Sequence, residues 1–161
     1  MKKQPLALIK NNLVHPVKTT IAAILAIFLA RLLGLPEFYW APISAIVVME
    51  STLGATLTVS WRRLVGTALG SATGALLLTH FGPSLVAYGV GILGLGVICA
   101  LLRLEKSAYR FAGVALTIII FVAQSRPPWT IAIHRFIEIS AGIVVSLCLT
   151  AVWPEKKDKV K

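Results

Sequence analysis

The chain has 161 residues, of which 57% are hydrophobic and 14% charged, whereas soluble domains carry roughly 25% charged residues. This composition excludes a soluble globular domain, a disordered chain and a disulfide-rich secreted scaffold. A net charge of +10 is compatible with either nucleic acid or an anionic membrane surface as partner. A mean hydropathy of +0.85 favours the lipid bilayer. We therefore expect no nucleic-acid partner.

The chain begins with a segment that we predict to lie on the membrane surface. In residues 1–18, Leu6, Ile9 and Leu13 share one helical face, which is typical of an interfacial cytoplasmic helix. Residues 19–153 then contain six apolar runs near the ~20 residues that a helix needs to cross a bilayer. The runs are Thr19–Leu35, Ala41–Val59, Leu64–His80, Leu85–Leu102, Phe111–Ser125 and Thr130–Trp153. Residues 154–161 form a basic tail.

Helix breakers and cations separate these runs. Breakers stand at 34–36, 82–83 and 127–128, and basic stretches stand at 61–63 and 103–110. Trp40 and Trp61 bracket the second run, as Trp129 and Trp153 bracket the sixth, at spacings typical of the two interfaces of a bilayer. Thirteen of the sixteen cations fall on the termini and alternate connections. We therefore predict an all-α, polytopic membrane protein: a bundle of six transmembrane helices with both termini in the cytoplasm.

Small residues indicate where helices approach closely. Gly66, Gly70 and Gly74 form a stripe on the third run, and Gly142 lies on the sixth. Such residues mediate helix packing in lipid. The stripe fits packing within the chain or an interface between subunits, and we expect a homo-oligomer.

Ionisable residues inside the apolar runs are the candidates for function. Glu50 and Glu138 are predicted to lie deep in the membrane, where an ionisable group costs at least ~2.5 kcal/mol. His134 and Arg135 precede Glu138 by four and three residues, so these side chains are neighbours on one helix. Further cations stand near the predicted membrane faces: Arg31, Arg62, Arg63, Arg103 and Arg110.

Two interpretations of these residues stay open. In the first, an anion crosses along a path in which the acidic groups or the histidine exchange protons. The path is formed by Glu50, Glu138, His134, Arg31, Arg63, Arg110 and Arg135. Alternatively, Arg135 and Glu138 form a structural ion pair, Arg31 extends to the lipid headgroups, and the arginines on the inner side only fix the topology. The sequence has no nucleophile–base set, phosphate-binding loop or metal-ligand cluster, so we predict neither an enzyme nor a cofactor or metal.

Several segments resemble one family of membrane proteins. These are Leu35–Glu50, Trp61–Thr67, Tyr109–Gly113, His134–Glu138 and Val152–Pro154, and the block Tyr-Trp-Ala-Pro-Ile-Ser at 39–44 is the most specific. Together they resemble the fusaric acid resistance-like, or aromatic acid exporter, family. The acidic Glu50-Ser51 pair departs from the less acidic pair expected there.

The resemblance implies a bacterial inner-membrane protein with six helices per unit. It also implies export of small aromatic or hydroxylated carboxylic acids by an oligomer. Plant malate channels resemble this family more distantly, which leaves a passive anion channel as an alternative. A membrane subunit that does not itself transport is the third possibility.

Overall fold

The computed structural model describes residues 4–122 and 126–153, with side chains described from residue 13 onward. All regular secondary structure in this part of the chain is helical, which confirms the predicted all-α class. The helices are α1 (Gln4–Leu32), α2 (Trp40–Val48), α3 (Leu53–Phe81), α4 (Leu85–Leu101), α5 (Lys106–Phe121) and α6 (Pro128–Val152). The predicted basic tail, 154–161, lies outside the described residues.

Three of these helices contain stretches long and apolar enough to cross a membrane: Leu13–Leu32 of α1, α3 and α6. With 17 and 16 residues, α4 and α5 are about 24–26 Å long at 1.5 Å per residue. The nine residues of α2 extend only about 14 Å and are too short to span alone. Six transmembrane spans with both termini in the cytoplasm therefore stay a prediction.

Three connections occur where helix breakers predict them. Gly34 and Gly82 adopt positive φ angles of 66° and 65°, a conformation that suits glycine after a helix end. Pro128 is the first residue of α6, where the missing proline N–H removes no intrahelical hydrogen bond.

The predicted connection at Trp61-Arg62-Arg63 is wrong. These residues lie inside α3, which continues from Leu53 to Phe81. Tryptophan and arginine are compatible with a helix interior, and no glycine–proline break interrupts them. The chain is instead broken at residues 49–52, within the predicted second run. The end of that run therefore belongs to α3 rather than α2.

The amino-terminal segment is continuous with the first apolar run. α1 includes residues 4–18 of the expected interfacial segment together with the first candidate span, with Pro16 inside the helix. Thr19 Oγ1 donates to the His15 carbonyl at 2.9 Å, and Thr20 Oγ1 donates to the Pro16 carbonyl at 2.8 Å. The interfacial position of residues 1–18 stays a prediction.

The chain divides into two compact units. The first unit consists of residues 1–59 and 139–161, and the second of residues 60–138. In the first unit, small side chains allow α1, α2 and the end of α6 to pack closely. Its buried apolar cluster consists of Ala22, Ala26, Ala30, Ala41, Ala45, Met49 and Ala141. A Cβ atom at Gly142 would overlap the Ala41 carbonyl oxygen and lie 2.9 Å from the Ser44 Cβ.

The second unit is built around the glycine stripe of α3. A Cβ atom at Gly66 or Gly70 would overlap the carbonyl oxygen of Ala108 or Ala112 on α5. Successive glycines thus face successive turns of α5, so the two helices run in the same direction. α4 packs on α5, and the Tyr109 hydroxyl donates to the Ile92 carbonyl at 3.4 Å. The stripe therefore lies against a helix of the same chain.

Candidate functional site

A polar break separates α2 from α3 in the first unit. Met49 ends α2 in an extended conformation, with φ −65° and ψ 119°. The Glu50 N–H donates to Thr56 Oγ1 at 3.2 Å, and Lys18 Nζ donates to the Glu50 carbonyl oxygen at 3.4 Å. The backbone groups that leave the helical pattern at Glu50 are thus bonded to side chains from α1 and α3, which satisfies their need for partners.

Lys18 is the functional candidate that the sequence analysis missed. Its side chain is fully buried in the first unit, although in the sequence it is one of the thirteen cations that indicate which side of the membrane is cytoplasmic. A sequence signal does exist, because Lys18 precedes Ala22, Ala26 and Ala30 at intervals of four residues. All three alanines are fully buried, so Lys18 continues the packed stripe of α1.

The break lies close to one end of α6. Thr150 Oγ1 contacts the Met49 sulfur at 3.4 Å, and Thr150 precedes Trp153 by three residues, or about 4–5 Å along a helix. The sequence instead predicts Glu50 deep between two interfacial tryptophans. The Glu50 residue itself is half-buried, so the structure brings together a half-buried acidic residue and a fully buried lysine near the Trp153 end.

The Thr56 hydroxyl offers a direct test of this break. Thr56→Val should lower the free energy of unfolding by about 1–2 kcal/mol, because the Glu50 N–H loses this acceptor. The matched control is Thr58→Val, since Thr58 is exposed and, within the described part of the chain, its hydroxyl bonds only to the Gly54 carbonyl one turn earlier. It should change stability by less than ~0.5 kcal/mol. Chemical denaturation in detergent measures both, and equal losses would contradict the role of Thr56.

The second unit contains a buried ion pair. Arg135 Nη1 and Glu138 Oε2 are 3.3 Å apart, and each side chain is 1% exposed. His134 is half-buried, and its Nδ1 has no hydrogen-bond partner in the part of the chain that the structure describes. The structure thus brings Arg135 and Glu138 together, as their spacing predicts.

The remaining predicted arginines occupy three different environments. Arg31 is exposed and its guanidinium carbon lies 4.5 Å from the centre of the Phe38 ring. Arg63 is 6% exposed and lies 4.9 Å from the Phe111 ring centre. Both distances allow cation–π attraction. Arg110 is exposed.

The seven residues of the predicted anion path are divided between the two units. Glu50 and Arg31 belong to the first, whereas Arg63, Arg110, His134, Arg135 and Glu138 belong to the second. Among the described residues, no group of three His, Cys, Asp or Glu side chains is placed to hold a metal ion.

Comparison with known proteins relates most of the chain to one family. Residues 25–149 match the model of the fusaric acid resistance protein-like family. The inner membrane protein YeeA of Escherichia coli K12 is 26% identical over 147 residues, which cover 90% of this chain and 42% of YeeA. The uncharacterized transporter YdhK of the same strain is 31% identical over 157 residues, which cover 89% of this chain and 23% of YdhK. The chain therefore spans less than half the length of these relatives. No solved structure matches it significantly.

Proposed function

The chain belongs to the fusaric acid resistance protein-like family, and on this basis we propose that it exports small aromatic or hydroxylated carboxylic acids, alone or as the membrane part of a larger transporter. It is a multi-pass protein of the bacterial inner membrane, and its relative YeeA is named an inner membrane protein. Three long apolar helices and the transporter name of YdhK support this proposal. Assembly as a homo-oligomer is part of the proposal.

The break between α2 and α3 is the observation that carries the proposal. Transporters commonly bind substrates and coupling ions where a membrane helix is interrupted. Irregular backbone within a membrane is tolerated where protein covers it or where it lines a water-filled cavity. Here Lys18, Thr56 and Thr150 contact the break, and all three are fully buried.

The two ionisable residues at the break have different proposed roles. Lys18 provides positive charge at a fully buried position, where a carboxylate is attracted more strongly than in water. Glu50 is the group that gains or loses a proton, because its residue is half-buried and thus reachable from solvent. Lys18 bonds the backbone carbonyl of Glu50, so protonation of the Glu50 side chain removes a negative charge from the same break, and proton binding and anion binding favour each other there.

The test measures how long cells retain labelled p-hydroxybenzoate. Cells that express the chain should lose the preloaded acid faster than cells without it. Glu50→Gln should abolish any dependence of this loss on the proton gradient, because the amide does not titrate. Glu37→Gln is the matched control and should leave the dependence on the proton gradient unchanged. The Glu37 carboxylate accepts hydrogen bonds from Tyr39 and Trp40, and an amide oxygen can accept both.

The alternatives give different results in the same assay. Equal retention of several aromatic acids with and without the chain would contradict export. Faster loss that persists after the proton gradient is collapsed would favour the anion channel, since an inside-negative potential alone drives anions outward by about 2.3 kcal/mol per charge per 100 mV.

A further inference from the structure

A small pocket lies in the second unit, between α3 and the connection from α4 to α5. Its volume is about 170 Å³. Its polar and aromatic groups come from Trp61, Arg62, Arg103 and Glu105, and its apolar surface comes from Val65 and Ala108. Trp61 is 66% exposed, so the pocket is accessible from outside the protein.

The charges in this pocket are unevenly paired. Arg62 forms an ion pair with Glu105, and their side chains are 29% and 60% exposed. Arg103 is also exposed, and its guanidinium has no ion-pair partner among the side chains described, those of residues 13–122 and 126–153. The backbone of Arg103 has a positive φ of 53°, which turns the chain sharply between α4 and α5. The pocket therefore carries one net positive charge beside an exposed indole ring.

We propose that this pocket binds a small aromatic carboxylate. The ring would pack on Trp61, which offers a large flat apolar surface. The carboxylate would bind the guanidinium of Arg103 and compete with Glu105 for Arg62, since arginine binds carboxylates through paired hydrogen bonds. The biological origin of the ligand rests on the proposed export function, whereas its binding to the pocket can be measured separately.

The competition with Glu105 leads to opposite effects from two neighbouring substitutions. Arg103→Gln should weaken binding about tenfold or more, the loss expected when a charged hydrogen-bond partner is removed. Glu105→Gln should strengthen binding, because Arg62 loses its internal carboxylate partner. A gain in affinity is not produced by misfolding, so this second variant keeps the inference testable if the first folds poorly.

The binding is measured by isothermal titration calorimetry with p-hydroxybenzoate. The full chain is placed in phosphatidylcholine nanodiscs, and cyclohexanecarboxylate serves as the non-aromatic comparison. Trp61→Leu should reduce the preference for the aromatic acid. Arg126→Gln is the matched control, because Arg126 is exposed outside the pocket, and its affinity should equal that of the unaltered chain.

Two results would overturn the inference. One is unchanged affinity in both Arg103→Gln and Glu105→Gln. The other is absence of p-hydroxybenzoate binding together with binding of phosphatidylglycerol that depends on Arg103, which would identify a lipid headgroup site. Binding that follows the predicted pattern without efflux from cells would support the pocket while contradicting export. Efflux from cells without measurable binding of p-hydroxybenzoate to the purified chain would support export while contradicting the pocket.

Discussion

Arg135→Ala should lower the free energy of unfolding by about 3–5 kcal/mol, the range found when one partner of a buried ion pair is removed. The Glu138 carboxylate is 1% exposed and lies 3.3 Å from the arginine, so it loses a charge partner in a place that water does not reach. Arg126 is exposed, and Arg126→Ala should cost less than ~0.5 kcal/mol. The yield of folded protein in membranes and unfolding in detergent measure both variants.

A double-mutant cycle separates the pair from the other effects of each substitution. Arg135→Met combined with Glu138→Met should destabilise the protein less than the sum of the two single substitutions, because neither charge then stays buried after losing the other. Interaction energies of about 0.5–3 kcal/mol are usual for residues in contact. Additive losses, or equal yields for Arg135→Ala and Arg126→Ala, would contradict a coupled buried pair.

The stability expected of this pair bears on the two interpretations of the intramembrane charges. An ion pair between residues three apart on one helix needs no partner from elsewhere to form. The structure therefore gives Arg135 and Glu138 a local structural contact, whereas Glu50 lies where the backbone itself departs from helix. This difference is why we assign the proposed transport chemistry to the break and not to the pair.

The sequence predicts the helix ends that depend on local backbone chemistry. Gly34 and Gly82 mark helix ends because glycine readily adopts a positive φ angle. Pro128 marks one because proline has no backbone N–H to donate. The expectation of a connection at Trp61-Arg62-Arg63 rests instead on charge. Charged residues indicate which part of a chain is exposed to water, but they do not indicate that a helix ends. Arg63 can stay in the interior of α3 because it packs on the Phe111 ring, a contact with α5 that no local pattern contains.

The sequence also predicts only part of the candidate site. Glu50 stands out because an acidic residue interrupts an apolar run. Lys18 does not, since it belongs to a segment with several other cations, and burial distinguishes it from them only when α1 packs on α2. The break at residues 49–52 likewise depends on partners from other helices, because Lys18 and Thr56 hydrogen-bond the backbone of Glu50.

The second large effect concerns the contact between α3 and α5. Gly70→Ala should lower the free energy of unfolding by about 3 kcal/mol, the upper end of the usual range for overpacked cores. The added methyl group would overlap the Ala112 carbonyl oxygen and lie 2.8 Å from the Ala112 Cα. Both obstacles belong to the backbone of a helix, so no side-chain rotation relieves the overlap and α3 must move away from α5. Unfolding in detergent measures the loss.

Gly89→Ala is the matched control, because it makes the same substitution within a helix where nothing lies within 4 Å of the new Cβ. It should be neutral or stabilising by up to ~1 kcal/mol, since alanine favours the helix over glycine. The same gain is present in Gly70→Ala, so the difference between the two variants isolates the steric cost at α5. The opposite result, a destabilised Gly89→Ala and an unaffected Gly70→Ala, would contradict this prediction. It would mean that the critical glycine contact lies on α4, as expected if a second subunit packs there, and that α3 does not need to approach α5 closely.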